Sequence, residues 1–297
     1  MKNTLIYFLF LLSQTLLAQL PNTDIWLLDI KATKDSIVLS NPVNITNRTG
    51  YDNQPVFSPD SKYMLYTSIR DEKQSDIYKY DLRTKQISPF TNTPTTSEYS
   101  PTFMPDGKNI SVVMVEPDSV QRLWKFPLKG GAPGLVMDKI DSIGYQCWIN
   151  KDSLALVMIT EPPTLEVVAV NTQKTTFFAA DAGRCIQPFP ARAGAGFFYM
   201  SKENKNDSLL KLKISTPQYR GTAPREALSL GKDIQDYAIM WDVYQPVIFF
   251  GNKSTLTGIG YFSDWYAGSL KLSSYGIKNI TRIAISPDGK KMAIVAE

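Results

Sequence analysis

The chain has 297 residues, 43% of them hydrophobic and 20% charged, with a net charge of +4; such a composition supports a large core and lies outside the disordered range. That charge is too small for this length to build the basic field that nucleic-acid binding requires. Histidine is absent, which excludes Ser-His-Asp and Cys-His nucleophile sites, His-ligated zinc and imidazole bases, and two cysteines cannot complete a four-thiolate metal site alone.

The first segment reads as a targeting sequence. Lys2 precedes an apolar run, Leu5 to Leu17, broken by Ser13, Gln14 and Thr15, and the small residue Ala18 follows. A basic tip, an apolar stretch and a small residue together predict a secretory signal peptide over residues 1–18, leaving 19–297 as one mature domain. The run is short for a membrane span, which needs about 20 apolar residues. No later run is long enough either, so the expectation is an exported protein, periplasmic or extracellular, with no membrane span after cleavage.

The mature chain is built from repeats. One unit is a short apolar or alternating segment: "DIWLLDI" from Asp24, "DIYKYDL" from Asp76, "RLWKFPL" from Arg122, then fainter copies from Thr164, Ser208 and Thr257. Taking Ile25, Ile77, Leu123, Leu165, Leu209 and Ile259 as equivalent, the steps are 52, 46, 42, 44 and 50 residues. Six copies at this period match the length of a four-stranded propeller blade.

A second unit alternates with the first. It is a hydrophobic strand, a tight turn and another hydrophobic strand: "PVFSPDSKYMLYTS" from Pro55, "PTFMPDGKNISVVMV" from Pro101 and "IAISPDGKKMAIVA" from Ile283. Degenerate copies start at Cys147, Pro188 and Ile239. Pro pre-sets φ near −65°, Asp hydrogen-bonds its own backbone and Gly accepts a positive φ. Ser61 stands for Gly in the first copy and Asp152 in the third.

The chain opens on an orphan first unit and ends on an orphan second unit. Together they complete one blade, which closes the ring and removes the open edge. The fold expected is all-β: a six-bladed β-propeller of four-stranded antiparallel blades, closed by pairing of N- and C-terminal strands. A β-sandwich could use the same hairpins, but the long period and the terminal half-repeats favour the propeller. Thr216 to Glu226 reads as a long inter-strand loop, and no useful helical periodicity occurs.

These residues resemble the WD40-like repeats of TolB-type periplasmic propellers, which also form the propeller of prolyl-oligopeptidase-type peptidases. The family turn, Ser-Pro-Asp-Gly after an aromatic or aliphatic residue, matches at Phe57 to Asp60, at Phe103 to Gly107 with Met104 for Ser, and at Ile285 to Gly289. The resemblance is specific for fold and weak for function. It has no counterpart here for the extra N-terminal domain of TolB or the α/β catalytic domain of the peptidases. What it implies is an exported interaction module with no assigned partner. With histidine and any nucleophile motif absent, the expectation is a non-enzymatic, monomeric module of the cell envelope that binds an envelope or periplasmic protein.

In a propeller, the loop leading into each innermost strand opens on the central channel. The polar residues expected there are Tyr51, Asp52 and Asn53; Glu98 and Tyr99; Tyr145 and Gln146; Arg184 and Gln187; Asp236 and Tyr237; Asn279 and Arg282. Asp52 and Glu98 each stand seven residues before the turn Pro, so they should occupy equivalent places in adjacent blades. No cofactor is called for, though converging oxygen ligands could hold Ca²⁺, and the same residues could grip a peptide or glycan or simply ring a water-filled channel. The turn aspartates Asp60, Asp106 and Asp288 are read as structural, and Trp26, Tyr78, Trp124, Phe57, Phe103 and Trp148 as inter-blade core. Cys147 and Cys185 fall in successive repeats and are either a disulfide or two free thiols. The alternative function is a hydrolase or lyase acting on carbohydrate or peptide through paired channel carboxylates, Asp52 with Glu98 or Asp236.

Overall fold

The structure is a computed structural model that describes residues 21–33, 35–70, 74–189, 196–202, 210–215, 225–230, 234–241, 246–260 and 266–297. The segment expected to be a signal peptide, 1–18, lies outside the described residues, as does 216–224 of the expected loop; Arg225 and Glu226 open a strand.

The strands of the described residues sort into six four-stranded antiparallel sheets. β1 (Asp24–Ala32) and β2 (Ile37–Asn44) come first. The first complete blade is β3 (Tyr51–Phe57), β4 (Tyr63–Arg70), β5 (Gln74–Asp81) and β6 (Ile87–Pro89). The second is β7 (Ser97–Phe103), β8 (Asn109–Val115), β9 (Gln121–Pro127) and β10 (Gly134–Leu135). The third is β11 (Ile143–Asn150), β12 (Ser153–Met158), β13 (Thr164–Ala169) and β14 (Lys174–Ala180). The fourth is β15 (Ala182–Pro188), β16 (Phe197–Ser201), β17 (Leu210–Ser215) and β18 (Arg225–Leu230). The fifth is β19 (Tyr237–Trp241), β20 (Pro246–Asn252), β21 (Thr255–Gly260) and β22 (Tyr266–Lys271). The chain ends on β23 (Ile280–Ile285) and β24 (Lys291–Ala296), and these join the first two strands in the order β2-β1-β24-β23.

That last sheet is the one the terminal half-repeats call for. β1 lies antiparallel to β24, from Asp24 opposite Ala296 to Asp29 opposite Lys291. The innermost strands touch in the order β3, β7, β11, β15, β19, β23 and back to β3.

The core is divided among the seams between blades. Each of six buried clusters takes its members from two neighbouring blades. Ile25, Ala293 and Val295 of the closing blade, for example, pack with Phe57, Met64 and Tyr66 of the first. Leu65, one residue on, turns the other way and packs with Ile110, Val112 and Met114 of the second. Strands buried on both faces need not alternate apolar with polar, which is why "YMLYTSI" shows no alternation and is buried from Met64 to Ile69. The expected aromatic anchors lie in these seams: Phe57 and Trp148 are buried, and Trp26, Tyr78, Trp124 and Phe103 pack half-buried against the clusters.

The turn chemistry differs between copies in an instructive way. In the first, the Ser61 N–H donates to the Ser58 carbonyl at 2.8 Å, closing a turn with Pro59 and Asp60 at its centre. The Ser58 hydroxyl donates to Asp60 Oδ1 and accepts from the Lys62 and Tyr63 N–H groups. The last copy repeats this with Ser286 and Asp288. Met104 has no hydroxyl, so in the second copy Asp106 Oδ1 accepts from both Lys108 and Asn109 N–H, at 2.8 and 3.0 Å. The next position is left-handed in all three: Ser61 at φ 55°, Gly107 at 65° and Gly289 at 68°. Ser61 offsets that strain through its hydroxyl, which accepts from the Asp288 N–H of the closing blade at 3.1 Å. Asp152 does not follow the pattern. Asn150 pairs directly with Ser153, so the third copy turns on two residues, and Asn150 Oδ1 accepts from the Asp152 N–H at 2.9 Å.

Candidate functional site: the central channel

The innermost strands enclose a cavity of about 800 Å³. Every one of the six blades contributes to its wall, β19 through the preceding residue Asp236. β23, β3, β7, β11 and β15 carry irregular register where they line it, between Ile280 and Arg282, Asn53 and Val56, Tyr99 and Thr102, Ile143 and Tyr145, and Ala182 and Ile186. Such bulges re-aim side chains. In β3 and β7 the bulge residues Gln54 and Ser100 adopt φ of 56° and 53°.

Tyr145, Gln146, Arg184, Gln187, Asp236 and Arg282, all expected at the channel, line the cavity. Most of the polar groups tie one innermost strand to the next. Gln54 Oε1 accepts from the Ser100 N–H at 2.8 Å. Gln146 Nε2 donates to the Ser100 carbonyl at 3.1 Å, and Gln187 Nε2 to the Tyr237 carbonyl at 3.1 Å. Asp236 is buried; its Oδ1 accepts from the Tyr237 N–H and its Oδ2 from the Ile283 N–H. Burial raises the Asp236 pKa above the usual carboxylate value, opposed by the charges of Arg282 and Arg184.

The two arginines are held differently. Arg184 Nη2 donates to the Gln235 side chain at 3.0 Å and to the Thr281 carbonyl at 2.6 Å, reaching past β19 toward β23. Arg282 crosses the ring: its guanidinium carbon lies 5.1 Å from the ring centroid of Tyr145, on the blade opposite. Its Nε is buried without a hydrogen-bond partner among the described residues. Burial and the neighbouring Arg282 charge lower the Arg184 pKa. For Arg282 the burial penalty is outweighed by Asp236 and by the Tyr145 and Tyr51 hydroxyls, so its pKa is raised.

Tyr51, Asp52, Asn53, Glu98 and Tyr99 do not line the cavity. Tyr51 and Tyr99 lie near it: burial raises the Tyr51 pKa, and its hydroxyl feels the charges of Arg282 and Arg184 and the neighbouring Tyr145 and Tyr99. Asn53 is buried and its Oδ1 accepts from the Gln54 N–H, within the bulge. Tyr237 is buried in the seam between the fourth and fifth blades. Asn279 precedes β23, where its carbonyl accepts from the Glu297 N–H.

Asp52 and Glu98 do occupy equivalent places, one residue into β3 and β7, and both side chains are fully buried. Each gathers the loop before its blade. Asp52 Oδ1 accepts from Arg48 Nη2 at 2.8 Å and from the Ser68 hydroxyl at 2.6 Å. Glu98 accepts from the hydroxyls of Thr93, Thr96 and Thr91 at 2.6, 2.7 and 3.1 Å. Their carboxylates are structural, which corrects the expectation that they face the channel.

Burial raises the Glu98 pKa, against the pull of the three threonine hydroxyls. The folded chain therefore keeps a proton that the unfolded chain has already lost between the ordinary glutamate pKa and the raised one. Stability falls as pH rises through that window and is constant above it as far as Glu98 is concerned. Urea denaturation from pH 4 to 7 checks this: Glu98→Gln, which cannot ionise, should lack this fall, and equal slopes for both proteins would refute it.

Cys147 and Cys185 are free, buried thiols, so no disulfide joins them. Cys147 packs into the seam between the third and fourth blades, Cys185 into the seam between the fourth and fifth. The fourth blade stands between those seams. Burial pushes both thiol pKa values up, which keeps them protonated and poorly reactive. Among the described residues no three His, Cys, Asp or Glu groups form a metal-ligating cluster.

Sequence reasoning missed Gln54 and Ser100. Each precedes a proline, Pro55 and Pro101, at the same distance from its turn, and that repeated X-Pro pair was the available signal. Proline is tolerated here because an innermost strand has a free edge on the channel side.

No family model matches the sequence, and no curated protein matches it. Similar solved structures include TolB propellers and other β-propeller proteins. A putative TolB from Agrobacterium tumefaciens aligns with a TM-score of 0.62 at 12% identity, covering 93% of this chain and 98% of that one. A chain of a nidogen/laminin complex aligns with a TM-score of 0.60 at 10% identity, covering 92% and 98%. An oligogalacturonate lyase from Vibrio parahaemolyticus aligns with a TM-score of 0.54 at 11% identity, covering 88% and 83%. At these identities the likeness is one of fold.

Proposed function

We propose that this protein is an exported, non-enzymatic binding module of the cell envelope, which takes its ligand or partner into the central cavity. The observation that carries the reading is the cavity: about 800 Å³, walled by all six blades, with Arg184, Arg282 and Tyr145 converging in it. Export rests on the sequence pattern of residues 1–18. No described helix is long and apolar enough to cross a membrane.

Hydrolysis or elimination by paired carboxylates has less support. Glycosidase chemistry needs two carboxyl groups flanking one substrate. Among the described residues Asp236 is the one carboxylate that lines the cavity, and backbone N–H groups take both its oxygens. Calcium bound through oxygen ligands would meet two guanidiniums in the same space.

The test uses a photo-crosslinking residue at Gln187, in the cavity, with a control at Phe177, which is exposed on β14. The protein is recovered from irradiated native cells and its intact mass measured. A discrete added mass, small molecule or protein, specific to position 187 is expected. An unchanged mass, or the same additions from position 177, would overturn the reading.

A further inference from the structure

The channel holds an unbalanced charge. Arg184 and Arg282 both line the cavity, against the single carboxylate of Asp236 among the described lining residues. Arg184 is bonded to the carbonyl of Thr281, the residue next to Arg282, so the two cations share one end of the channel. Each Asp236 oxygen accepts a backbone N–H, and among the described residues neither guanidinium donates to it. Arg282 makes a cation–π contact with Tyr145 and leaves its buried Nε unpartnered among the described residues. A buried guanidinium with unused donors is costly unless something accepts from it.

The rest of the wall sets the ligand's other half. Phe57, Phe103, Trp148, Ile186 and Ile283 line the same cavity, and apolar walls with a few convergent polar groups are the usual form of a small-ligand site. Two positive charges against one negative leave a surplus of one, which a monoanion balances. Guanidinium planes pair bidentately with carboxylate.

We propose that the channel binds a small monocarboxylate with an apolar body, its carboxylate seated between Arg282 and Arg184 and its body against the aromatic and aliphatic wall. This rests on the reading of the channel as the binding site and names the chemistry of what enters. No bond is made or broken; Arg282 and Arg184 are binding residues.

The experiment is titration calorimetry on the mature protein with three probes: 3-phenylpropionate, its uncharged amide and inorganic phosphate. The acid should bind, and the amide and phosphate should bind at least about tenfold more weakly, the size of a lost charge-assisted hydrogen bond. Arg282→Gln and Arg184→Gln should each weaken the acid by a similar factor while melting cooperatively. Amide or phosphate binding as tightly as the acid, unchanged affinity in both variants, or no binding of the acid would each overturn the proposal. Should a variant fail to fold, the acid–amide comparison on the unaltered chain decides alone. A discrete adduct at position 187 with no carboxylate binding removes this proposal and leaves the channel reading standing; failure of both experiments removes both.

Discussion

Deleting residues 1–44 is expected to abolish cooperative folding. The deletion removes β1 and β2, half of the closing blade, and leaves β24 with an open edge. Met292, Ala293, Ile294 and Val295 on that strand are fully buried in the intact protein. Ile25 and Leu28, also fully buried, each contribute about 2 kcal/mol by burial. Two seams lose members at once, because β1 supplies residues to the clusters on both faces of its blade. Against a total stability of about 5–15 kcal/mol, losing these seams and a ladder of six residue pairs removes most of what holds the ring. The unpaired β24 should then aggregate. Thermal unfolding by circular dichroism, with size-exclusion chromatography, reads both effects. Adding a peptide of residues 21–47 should restore a cooperative transition. A truncated chain that stays monomeric and melts like the full one would show that the closing pair is dispensable.

Replacing Asp52 by alanine should cost about 3 kcal/mol, the scale of breaking a buried ion pair from one side. Asp52 is fully buried, and Arg48 is 23% exposed in its side chain. Arg48 Nη2 also donates to Ser68 Oγ and to the carbonyl of Ile69, both at 2.8 Å, so without Asp52 a mostly buried cation keeps only neutral partners. Asp52→Asn keeps an acceptor for Arg48 and Ser68 but loses the charge, and should fall between wild type and alanine. Paired with Arg48→Ala, the double variant should cost less than the sum of the singles, because the stranded charge is gone. Urea denaturation of the four proteins gives the cycle. Strict additivity would mean that Asp52 and Arg48 do not act as a pair. The same measurements separate structure from binding: Asp52→Ala should weaken the fold and leave the affinity of a channel ligand unchanged wherever the variant remains folded, since Asp52 does not line the cavity.

The fold was legible because its cause is local and repeated. Turn residues at fixed offsets, two-sided apolar runs and the orphan units at each end specify the strand pairing before any long-range contact is known. The degenerate copies were the harder part. Asp152 looks like a glycine substitute in sequence, yet the third hairpin turns on two residues and never needs a positive φ there. Met104 looks like a lost cap, and Asp106 takes over its work.

The channel was only half legible. Spacing located the residues that begin each innermost strand, but a polar residue at such a place has two choices, the cavity or the seam behind it. Asp52 and Glu98 went to the seam because Arg48 and three threonine hydroxyls wait there. Arg184, Asp236 and Arg282 went to the cavity because bulges turn the strand and backbone N–H groups fix the carboxylate. The same holds for the cysteines, one repeat apart in sequence and one whole sheet apart in space. What the residues determined by themselves was strand, turn and repeat, since each depends on neighbours in the chain, and closure, since the half-repeats at the two ends complete one blade. Which polar groups face the channel, and that Arg282 meets Tyr145 across it, depended on the ring closing, since only then do opposite blades share one cavity.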